Sequence, residues 1–390
     1  MTFFWLLLLC AGYLFGVTVV TSNNNKKVSV MLSLFRKKPK NITLASTGQQ
    51  FVAAPGETIL QAALREGIRF PHSCRVGGCA ACKCQLEDGK VKELTESAYV
   101  LSGDDLDNNY ILACQSVPKT DVKIGLPHWD ARSPSHDIRH ILGQVIQHQV
   151  LTHDISAVTI RLEAPLDFTA GQYANIRLLG CDAPARSYSF ANTQQSAKGL
   201  ELEFYVRRVD GGALSPLLTS QQVLGEAVEI EGPLGDFWLR PDDTPILAIA
   251  GGSGLAPLIS LLRQGIVDGC QRPVTLLFGA RQQRDLYAME EIQRLSEQWQ
   301  APFEFVPVLS HEAEESSWSG YRGLVTEAIE GRIGGDTQVY LCGPAPMIDA
   351  AIAECQKFSV RPSQIFFDKF LDSRDLAATQ SAGRKMPAFA

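Results

Sequence analysis

Apolar and polar positions divide the chain into regions with different patterns. Short strand-like runs separated by turns fill residues 41–127 and 138–242, whereas long apolar runs alternate with helical patterns over residues 243–371. A continuous apolar run such as 245–250 is typical of a parallel strand that is buried on both faces. The pattern predicts a multidomain protein of α+β and α/β class, in which a small β-barrel precedes a parallel α/β domain.

The two ends of the chain differ from these regions. Residues 3–20 carry no charge, and as a helix they would extend about 27 Å, close to the ~30 Å hydrocarbon core of a bilayer. Basic residues follow between Lys26 and Lys40, and the positive-inside rule then predicts that the domains face the cytoplasm. We therefore expect a transmembrane anchor at 3–21 and a single-pass membrane location, with a cleaved signal peptide as the alternative. Residues 372–390 are small and polar and are predicted to be disordered.

Composition limits the function without identifying it. A length of 390 residues is enough for two to four domains. The net charge is −6, and no basic stripe is interleaved with aromatic residues. Nucleic acid is therefore not an expected partner.

Four cysteines have the spacing of iron–sulfur ligands. Cys74, Cys79 and Cys82 form a Cys-x4-Cys-x2-Cys motif, and Cys114 follows at a distance. This is the plant-type arrangement for a 2Fe-2S cluster, in which four thiolates converge on two irons. A zinc site remains an alternative, although such sites more often show two Cys-x2-Cys pairs. Structural or disulfide-bonded thiols are the other alternative, and disulfides require an oxidising compartment.

Two motifs in the predicted barrel suggest a bound nucleotide cofactor. Arg-Ser-Tyr-Ser occupies 186–189, and Gly-Gly-Ala-Leu-Ser occupies 211–215. The guanidinium fork of arginine suits phosphate, and an aromatic face suits a planar ring. The glycine turn opens a short helix whose N-terminus can face a pyrophosphate.

Two further motifs follow apolar strands in the last region. Gly-Gly-Ser-Gly-Leu-Ala-Pro occupies 251–257, and Cys-Gly-Pro-Ala-Pro-Met occupies 342–347. Glycines at such a turn let the backbone approach a dinucleotide. Both motifs are therefore expected at the carboxyl edge of the parallel sheet, where ligands bind.

In this order, the motifs resemble those of the ferredoxin–NADP reductase superfamily. Residues 41–127 resemble the β-grasp ferredoxins of plant type, so this resemblance implies a 2Fe-2S domain there, an FAD-binding barrel at 138–242 and an NAD(P)-binding domain at 243–371. The domain set is similar to that of reductase components of multicomponent oxygenases, such as phenol hydroxylase and benzoate dioxygenase. It implies electron transfer from NADH through FAD and the cluster to an oxygenase, hydroxylase or desaturase partner. The flavin subunit of the sodium-translocating NADH:quinone reductase and the reductase of deoxysugar synthesis are the alternatives.

The resemblance also implies roles for individual residues. The metal ligands are Cys74, Cys79, Cys82 and Cys114. The residues expected to bind FAD are Arg186, Ser187, Tyr188, Ser189, Tyr205, Val206, Arg207, Gly212, Ala213, Leu214, Ser215 and Phe370. Those expected to bind the nicotinamide cofactor are Gly252, Ser253, Gly254, Cys342, Gly343 and Pro344. Of these residues, Ser189 and Cys342 are the predicted catalytic residues.

The choice of nicotinamide cofactor and the docking edge complete the predictions. Arg281 and Arg284 could take the 2′-phosphate of NADPH, but Asp285 lies beside them in a run that resembles NADH-using oxygenase reductases. NADH is therefore expected, with NADPH possible. The partner protein is expected to dock at the cluster edge around Arg75 and Val76.

Overall fold

The cysteine motif lies in a small β-grasp domain near the start of the described chain. The computed structural model describes residues 38–72, 74–101, 103–126, 130 and 132–370. Thr58 starts the first helix, because its hydroxyl accepts a hydrogen bond from the Gln61 amide while the Gln61 side chain accepts one from the Thr58 amide. The elements are β1 (Lys40–Leu44), β2 (Gln50–Ala53), α1 (Ile59–Arg65), β3 (Lys83–Asp88), β4 (Val91–Glu93), α2 (Gly103–Asp107), β5 (Tyr110–Leu112), β6 (Ser116–Pro118) and β7 (Val122–Gly125).

One sheet and one helix form the core of this domain. The sheet has the order β2-β1-β7-β3-β5, and β4 pairs with β6 apart from it. Helix α1 buries Ile59 and Ala62 completely, in the same apolar cluster as Ile42 and Ile124 of the sheet. Each large side chain buried in this way contributes about 1.5–3 kcal/mol relative to exposure. This packing fixes both ends of the loop that carries the cysteines, since the loop connects α1 to β3.

The second domain is an antiparallel barrel. Its strands have the order β11-β10-β13-β8-β9-β12. An isolated bridge between Phe190, directly after β11, and Phe204 in β12 joins the two edges. The elements are β8 (Arg139–Val150), β9 (Ile155–Leu162), β10 (Tyr173–Leu178), β11 (Arg186–Ser189), β12 (Glu201–Arg207), α3 (Ser215–Leu218) and β13 (Ala227–Leu234).

The third domain is a parallel sheet flanked by helices. Its strand order is β17-β16-β15-β14-β18-β19, and every neighbouring pair is parallel. The central strand β14 is buried along its whole length, as its apolar run predicts. The elements are β14 (Ile246–Gly251), α4 (Leu255–Val267), β15 (Val274–Ala280), α5 (Met289–Gln298), β16 (Phe303–Leu309), β17 (Tyr321–Arg322), β18 (Gln338–Pro344), α6 (Ala345–Lys357) and β19 (Ile365–Phe370).

Helix α4 joins the third domain to the barrel. The Ser260 hydroxyl donates to the Asn192 carbonyl oxygen at 2.6 Å. The Arg263 guanidinium lies 3.0 Å from the Glu203 carboxylate in β12. These partly buried polar contacts fix the barrel against the helix that follows the glycine loop, so the two predicted cofactor regions share one interface. The described residues from Lys40 onward belong to one compact unit.

The α+β and α/β multidomain class predicted from the sequence is confirmed. Its boundaries at 41–127, 138–242 and 243–371 stay predictions. The predicted transmembrane helix at 3–21 and the predicted disordered tail at 372–390 lie outside the described residues. Among the residues that are described, no helix is both long enough and apolar enough to cross a membrane.

Candidate functional site

The four predicted cluster cysteines come together in the structure. Cys79, Cys82 and Cys114 are buried, and Cys74 is half-buried. Backbone amides donate to three of the sulfurs at 3.4 Å: Gly78 to Cys74, Cys74 to Cys79, and Cys114 to Cys82. Such amides stabilise the negative charge that thiolate ligands bring to a cluster.

The loop owes its shape to residues with positive φ. Arg75, Gly77 and Ala80 have φ values of 59°, 83° and 61°. A side chain at Gly77 would place its Cβ 2.7 Å from Cγ of Gln115, which follows the fourth cysteine. Glycine at this position therefore lets the loop close over the segment that carries Cys114.

The thiols form two pairs. Cys74 is hydrogen-bonded to Cys79, and Cys82 to Cys114. The bond with Cys79 lowers the pKa of Cys74 to about 6, and the bond with Cys82 lowers the pKa of Cys114. Among the described residues, no three His, Cys, Asp or Glu side chains are grouped around a point that could hold one metal ion. Two pairs rather than one group of three fit a two-iron cluster, because each iron then receives two thiolates.

The predicted flavin motif lies in β11, at one edge of the barrel sheet. Arg186 is exposed and donates to the neighbouring Ala185 carbonyl oxygen at 3.0 Å. In the part of the chain that the structure describes, no carboxylate forms an ion pair with this guanidinium, which leaves it able to take a phosphate. The Ser187 hydroxyl donates to Asn175 at 2.7 Å. Tyr188 is half-buried, and burial raises the pKa of its phenol.

Ser189 ends this strand beside the last strand of the third domain. It is 5% exposed, and its hydroxyl donates to the Asp368 carboxylate at 3.4 Å. Sequence reasoning missed Asp368 and selected Phe370 instead. Both lie in β19, and side chains two apart in a strand share a face. Phe370 is half-buried against the core that the barrel and the third domain share.

Strand β12 supplies three more predicted residues with different surroundings. Tyr205 is buried with its ring edge-on to Tyr287, the centroids 5.6 Å apart. Arg207 donates to the Asp154 carboxylate at 2.8 Å. The Val206 side chain is fully buried in the barrel core, so only its backbone can face a ligand.

The glycine turn at 211–215 leads into the short helix α3. Gly212 and Ala213 lie in the turn, Leu214 is buried, and the Ser215 hydroxyl accepts the Val209 amide at 3.0 Å. A Cβ on Gly212 would approach the Val209 carbonyl oxygen to 2.9 Å. The turn is thus held closed on the strand before it, and its amides are fixed in position.

The predicted nucleotide loop packs directly on the cysteine motif of β18. A Cβ at Gly254 would lie 2.2 Å from the Cys342 carbonyl oxygen, so only a hydrogen fits there. Gly252 has a φ of 55°, and its carbonyl oxygen accepts a hydrogen bond from the Tyr287 hydroxyl at 2.9 Å. Ser253, between them, is half-buried. The Cys342 side chain is fully buried, and burial raises the pKa of its thiol.

Gly343 and Pro344 complete this contact and lead into α6. Gly343 has φ of 147°, and a Cβ on it would lie 3.0 Å from the Gly251 carbonyl oxygen. Pro344 is exposed at the end of β18, directly before the helix. The two motifs therefore form one edge of the parallel sheet, as predicted from the carboxyl ends of its strands. The residues present fit the 2Fe-2S cluster, the FAD and the nicotinamide cofactor that the sequence implies.

Arg75, at the predicted docking edge, also forms a contact within the chain. Its guanidinium lies 3.3 Å from the Glu231 carboxylate in β13 of the barrel. Val76 is 50% exposed. Docking of a partner protein around Arg75 and Val76 stays a prediction.

Domain-family comparisons match three segments of the chain. Residues 42–119 match the 2Fe-2S iron-sulfur cluster binding domain. Residues 142–238 match the oxidoreductase FAD-binding domain, and residues 248–352 match the oxidoreductase NAD-binding domain. The chain therefore has a cluster-binding, a flavin-binding and a nicotinamide-binding domain, in the order that the motifs predicted.

Two curated proteins resemble the chain over most of its length. The xylene/toluene monooxygenase electron transfer component of Pseudomonas putida is 38% identical over 88% of this chain and 97% of its own. The reductase component of phenol 2-monooxygenase from Pseudomonas sp. (strain CF600) is 35% identical over 87% of this chain and 97% of its own. A solved structure, the ferredoxin reductase in carbazole 1,9a-dioxygenase, is 28% identical over 86% of this chain and 99% of its own, with a TM-score of 0.64.

The relatives also overturn the predicted location. A single-pass membrane protein with domains facing the cytoplasm was expected, but that prediction is wrong. The proteins that match almost end to end are named as electron transfer and reductase components of oxygenases, and none of these names describes a membrane-anchored protein. With three domain matches and relatives of 38% and 35% identity, the chain belongs to the reductase components of multicomponent oxygenases.

Proposed function

We propose that this chain is an NADH-dependent reductase that passes electrons through FAD and a 2Fe-2S cluster to an oxygenase or hydroxylase partner. The observation that carries the proposal is a direct contact: the loop that bears Cys74, Cys79 and Cys82 meets the barrel strand that contains Glu231 through the Arg75–Glu231 ion pair. Bound nicotinamide and flavin supply two-electron chemistry, and the cluster supplies one-electron chemistry. The protein's contribution is then to hold three redox groups close together and in order.

The described residues suggest how the nicotinamide end is built. Gly254 brings the nucleotide loop against the backbone of Cys342, and the thiol of Cys342 is fully buried at that edge of the sheet. The Asp368 carboxylate accepts a hydrogen bond from the Ser189 hydroxyl and so fixes its orientation. We assign Cys342 and Ser189 to the contact between nicotinamide and flavin, with Asp368 as the residue that positions Ser189.

We expect the Cys342→Ala variant to reduce its flavin about tenfold more slowly, because loss of the thiol loosens a packed reactive contact. FAD and the cluster should stay bound, since neither the cysteine pairs nor β11 are altered. Stopped-flow absorbance after mixing with NADH measures the rate. Cys355→Ala, which removes another buried thiol from α6 of the same domain, is the matched control. Loss of FAD from the Cys342 variant would contradict this role.

We assign NADH rather than NADPH as the donor because of Asp285. One oxygen of its carboxylate accepts the Gln282 amide at 2.9 Å, and the other lies 3.3 Å from His153 Nδ1. These contacts hold a negative charge in the turn after β15, where an adenosine 2′-phosphate would approach. Arg281 and Arg284 beside it are exposed.

The Asp285→Asn variant is expected to use NADPH better. Removing a carboxylate that repels the 2′-phosphate should raise the ratio of kcat/KM for NADPH to that for NADH by about tenfold. Steady-state kinetics with both donors measure this ratio. Glu290→Gln, an exposed carboxylate at the start of α5, controls for a general loss of charge. An unchanged ratio in the Asp285 variant would remove the basis for the assignment.

The absorption spectrum of the purified chain before and after NADH tests the function as a whole. Flavin and iron–sulfur bands should both be present, and both should bleach when NADH is added. If either set of bands is missing from the reconstituted protein, or does not respond to NADH, the proposed function is wrong.

A further inference from the structure

Two polar bridges connect the cysteine loop to the barrel. The first is the ion pair between Arg75 Nη1 and Glu231 Oε1, at 3.3 Å. In the second, the Gly235 amide donates to His72 Nε2 at 3.3 Å, and the other ring nitrogen of His72 lies 2.8 Å from the Phe70 carbonyl oxygen. The two bridges lie on either side of the first cysteine of the motif, so they hold the loop at that point.

A second hydrogen bond orients the Glu231 carboxylate toward Arg75. Its second carboxylate oxygen accepts the Asn175 side-chain amide at 2.7 Å, which leaves Oε1 for Arg75. Burial acts to raise the pKa of Glu231, but the bond from Asn175 and the charge of Arg75 outweigh it and keep that pKa below the ordinary value. Both side chains of the ion pair are about one-third exposed or less, at 33% for Arg75 and 28% for Glu231. Partial burial makes such a pair stronger than one on an open surface.

The contact continues into the predicted flavin strand. The side-chain nitrogen of Asn175 donates a hydrogen bond to Glu231 at 2.7 Å. The side-chain oxygen of Asn175 accepts one from the Ser187 hydroxyl, also at 2.7 Å. Ser187 lies in β11 between Arg186 and Tyr188. A continuous path of polar contacts therefore runs from the cysteine loop to the motif expected to bind FAD.

A buried ring lies beneath the two bridges. Tyr173 is 5% exposed, its backbone is paired with that of Ser189, and a Cβ on Gly235 would come within 2.9 Å of its ring. The ring therefore packs against Gly235, in the segment that bonds His72.

We propose that the Arg75–Glu231 ion pair, extended through Asn175 to Ser187, docks the cluster domain on the flavin barrel and sets the rate of electron transfer between them. This inference rests on the proposed function and adds to it the residues that control its internal step. Arg75 and Glu231 are positioning residues, because they fix the distance between two domains. Electron transfer depends steeply on distance, so a loosened contact slows this step without altering flavin reduction.

Charge reversal and its repair test the pair. Arg75→Glu places two carboxylates together, and we expect cluster reduction after flavin reduction to slow by about tenfold. The Arg75→Glu/Glu231→Arg double variant restores the attraction and should recover most of the rate. Glu229→Arg is the matched control, because Glu229 lies two positions earlier in β13 and pairs with His140 and Arg177 within the barrel. Stopped-flow absorbance after NADH follows flavin and cluster separately.

Amide hydrogen exchange gives a readout that does not require electron flow. In the Arg75→Glu variant, peptides covering residues 231–238 should exchange faster than in the unaltered chain, and the double variant should reverse this. The measurement is made without NADH, so it tests the docking contact even if the proposed electron-transfer function fails. Glu231→Gln, which leaves the cysteine loop intact, repeats the test if Arg75→Glu does not assemble a cluster.

Two results would overturn the inference. In the first, Arg75→Glu leaves both the exchange and the flavin-to-cluster rate unchanged but slows the reduction of cytochrome c, used as a protein acceptor. Arg75 would then belong to an external docking surface. In the second, the double variant is no faster than Arg75→Glu alone, which would mean that the two charges do not act as a pair.

Discussion

We expect replacement of Cys79 by alanine to abolish cluster assembly and to stop electron transfer beyond the flavin. Cys79 is fully buried, and its thiol is hydrogen-bonded to the thiol of Cys74. Its sulfur also accepts a hydrogen bond from the Cys74 backbone amide at 3.4 Å. Its loss leaves one thiolate where two are required at one iron, and no other described Cys is paired with Cys74. Alanine cannot replace a thiolate ligand, so we expect cluster absorbance to fall below about a tenth of the unaltered value.

Two acceptors separate the effects of this change. NADH-driven reduction of ferricyanide, a small acceptor that flavin can serve, should remain, whereas reduction of cytochrome c should be lost. Cys84→Ala is the control, because Cys84 is also fully buried in the same domain but lies outside both thiol pairs. The control should keep its cluster and lose only stability, by about 1–3 kcal/mol for the small cavity that forms.

If Cys79→Ala kept a full set of iron–sulfur bands, the assignment of the four ligands would be wrong. If Cys84→Ala lost the cluster as completely as Cys79→Ala, Cys84 would have to replace one of the four. The two variants together therefore identify ligands as well as testing for a cluster. Chemical analysis of each purified variant measures how much iron and sulfide is bound per chain.

The cysteine and glycine motifs were predictable because their chemistry is local. The spacing of Cys74, Cys79 and Cys82 is set by one loop, and the close approach of Gly254 to Cys342 needs residues without a side chain at a strand end. The run at 245–250 predicted β14 because a strand buried on both faces must be apolar throughout. Patterns of this kind carry their structural reason within a few residues.

Contacts between distant segments were not predictable in the same way. Nothing near Arg75 in sequence indicates that it meets Glu231, which lies 156 positions away. Asp368 was passed over because its bond to Ser189 depends on two domains folding against each other. Val206 was expected at the flavin, but its side chain belongs to the barrel core.

Charge reversal at Arg186 should have the second large effect, on FAD affinity. Arg186 is exposed in β11 and donates only to a neighbouring backbone carbonyl oxygen among its described contacts, so its charge is available for a phosphate. Loss of charge-assisted hydrogen bonds costs about 1.5–3 kcal/mol, and a carboxylate in their place adds repulsion. We therefore expect Arg186→Glu to weaken FAD binding at least about 100-fold.

Arg177→Glu is the control that makes this test specific for the site. Arg177 is also an exposed arginine of the barrel, in the neighbouring strand β10, but it pairs with Glu229 at 3.3 Å. Titration of flavin-free protein with FAD, followed by quenching of flavin fluorescence, measures both affinities. The Arg177 variant should bind FAD within about threefold of the unaltered chain, because it disturbs only a surface ion pair worth ~1 kcal/mol or less. Equal losses in the two variants would mean that overall charge, and not a phosphate contact at Arg186, governs binding.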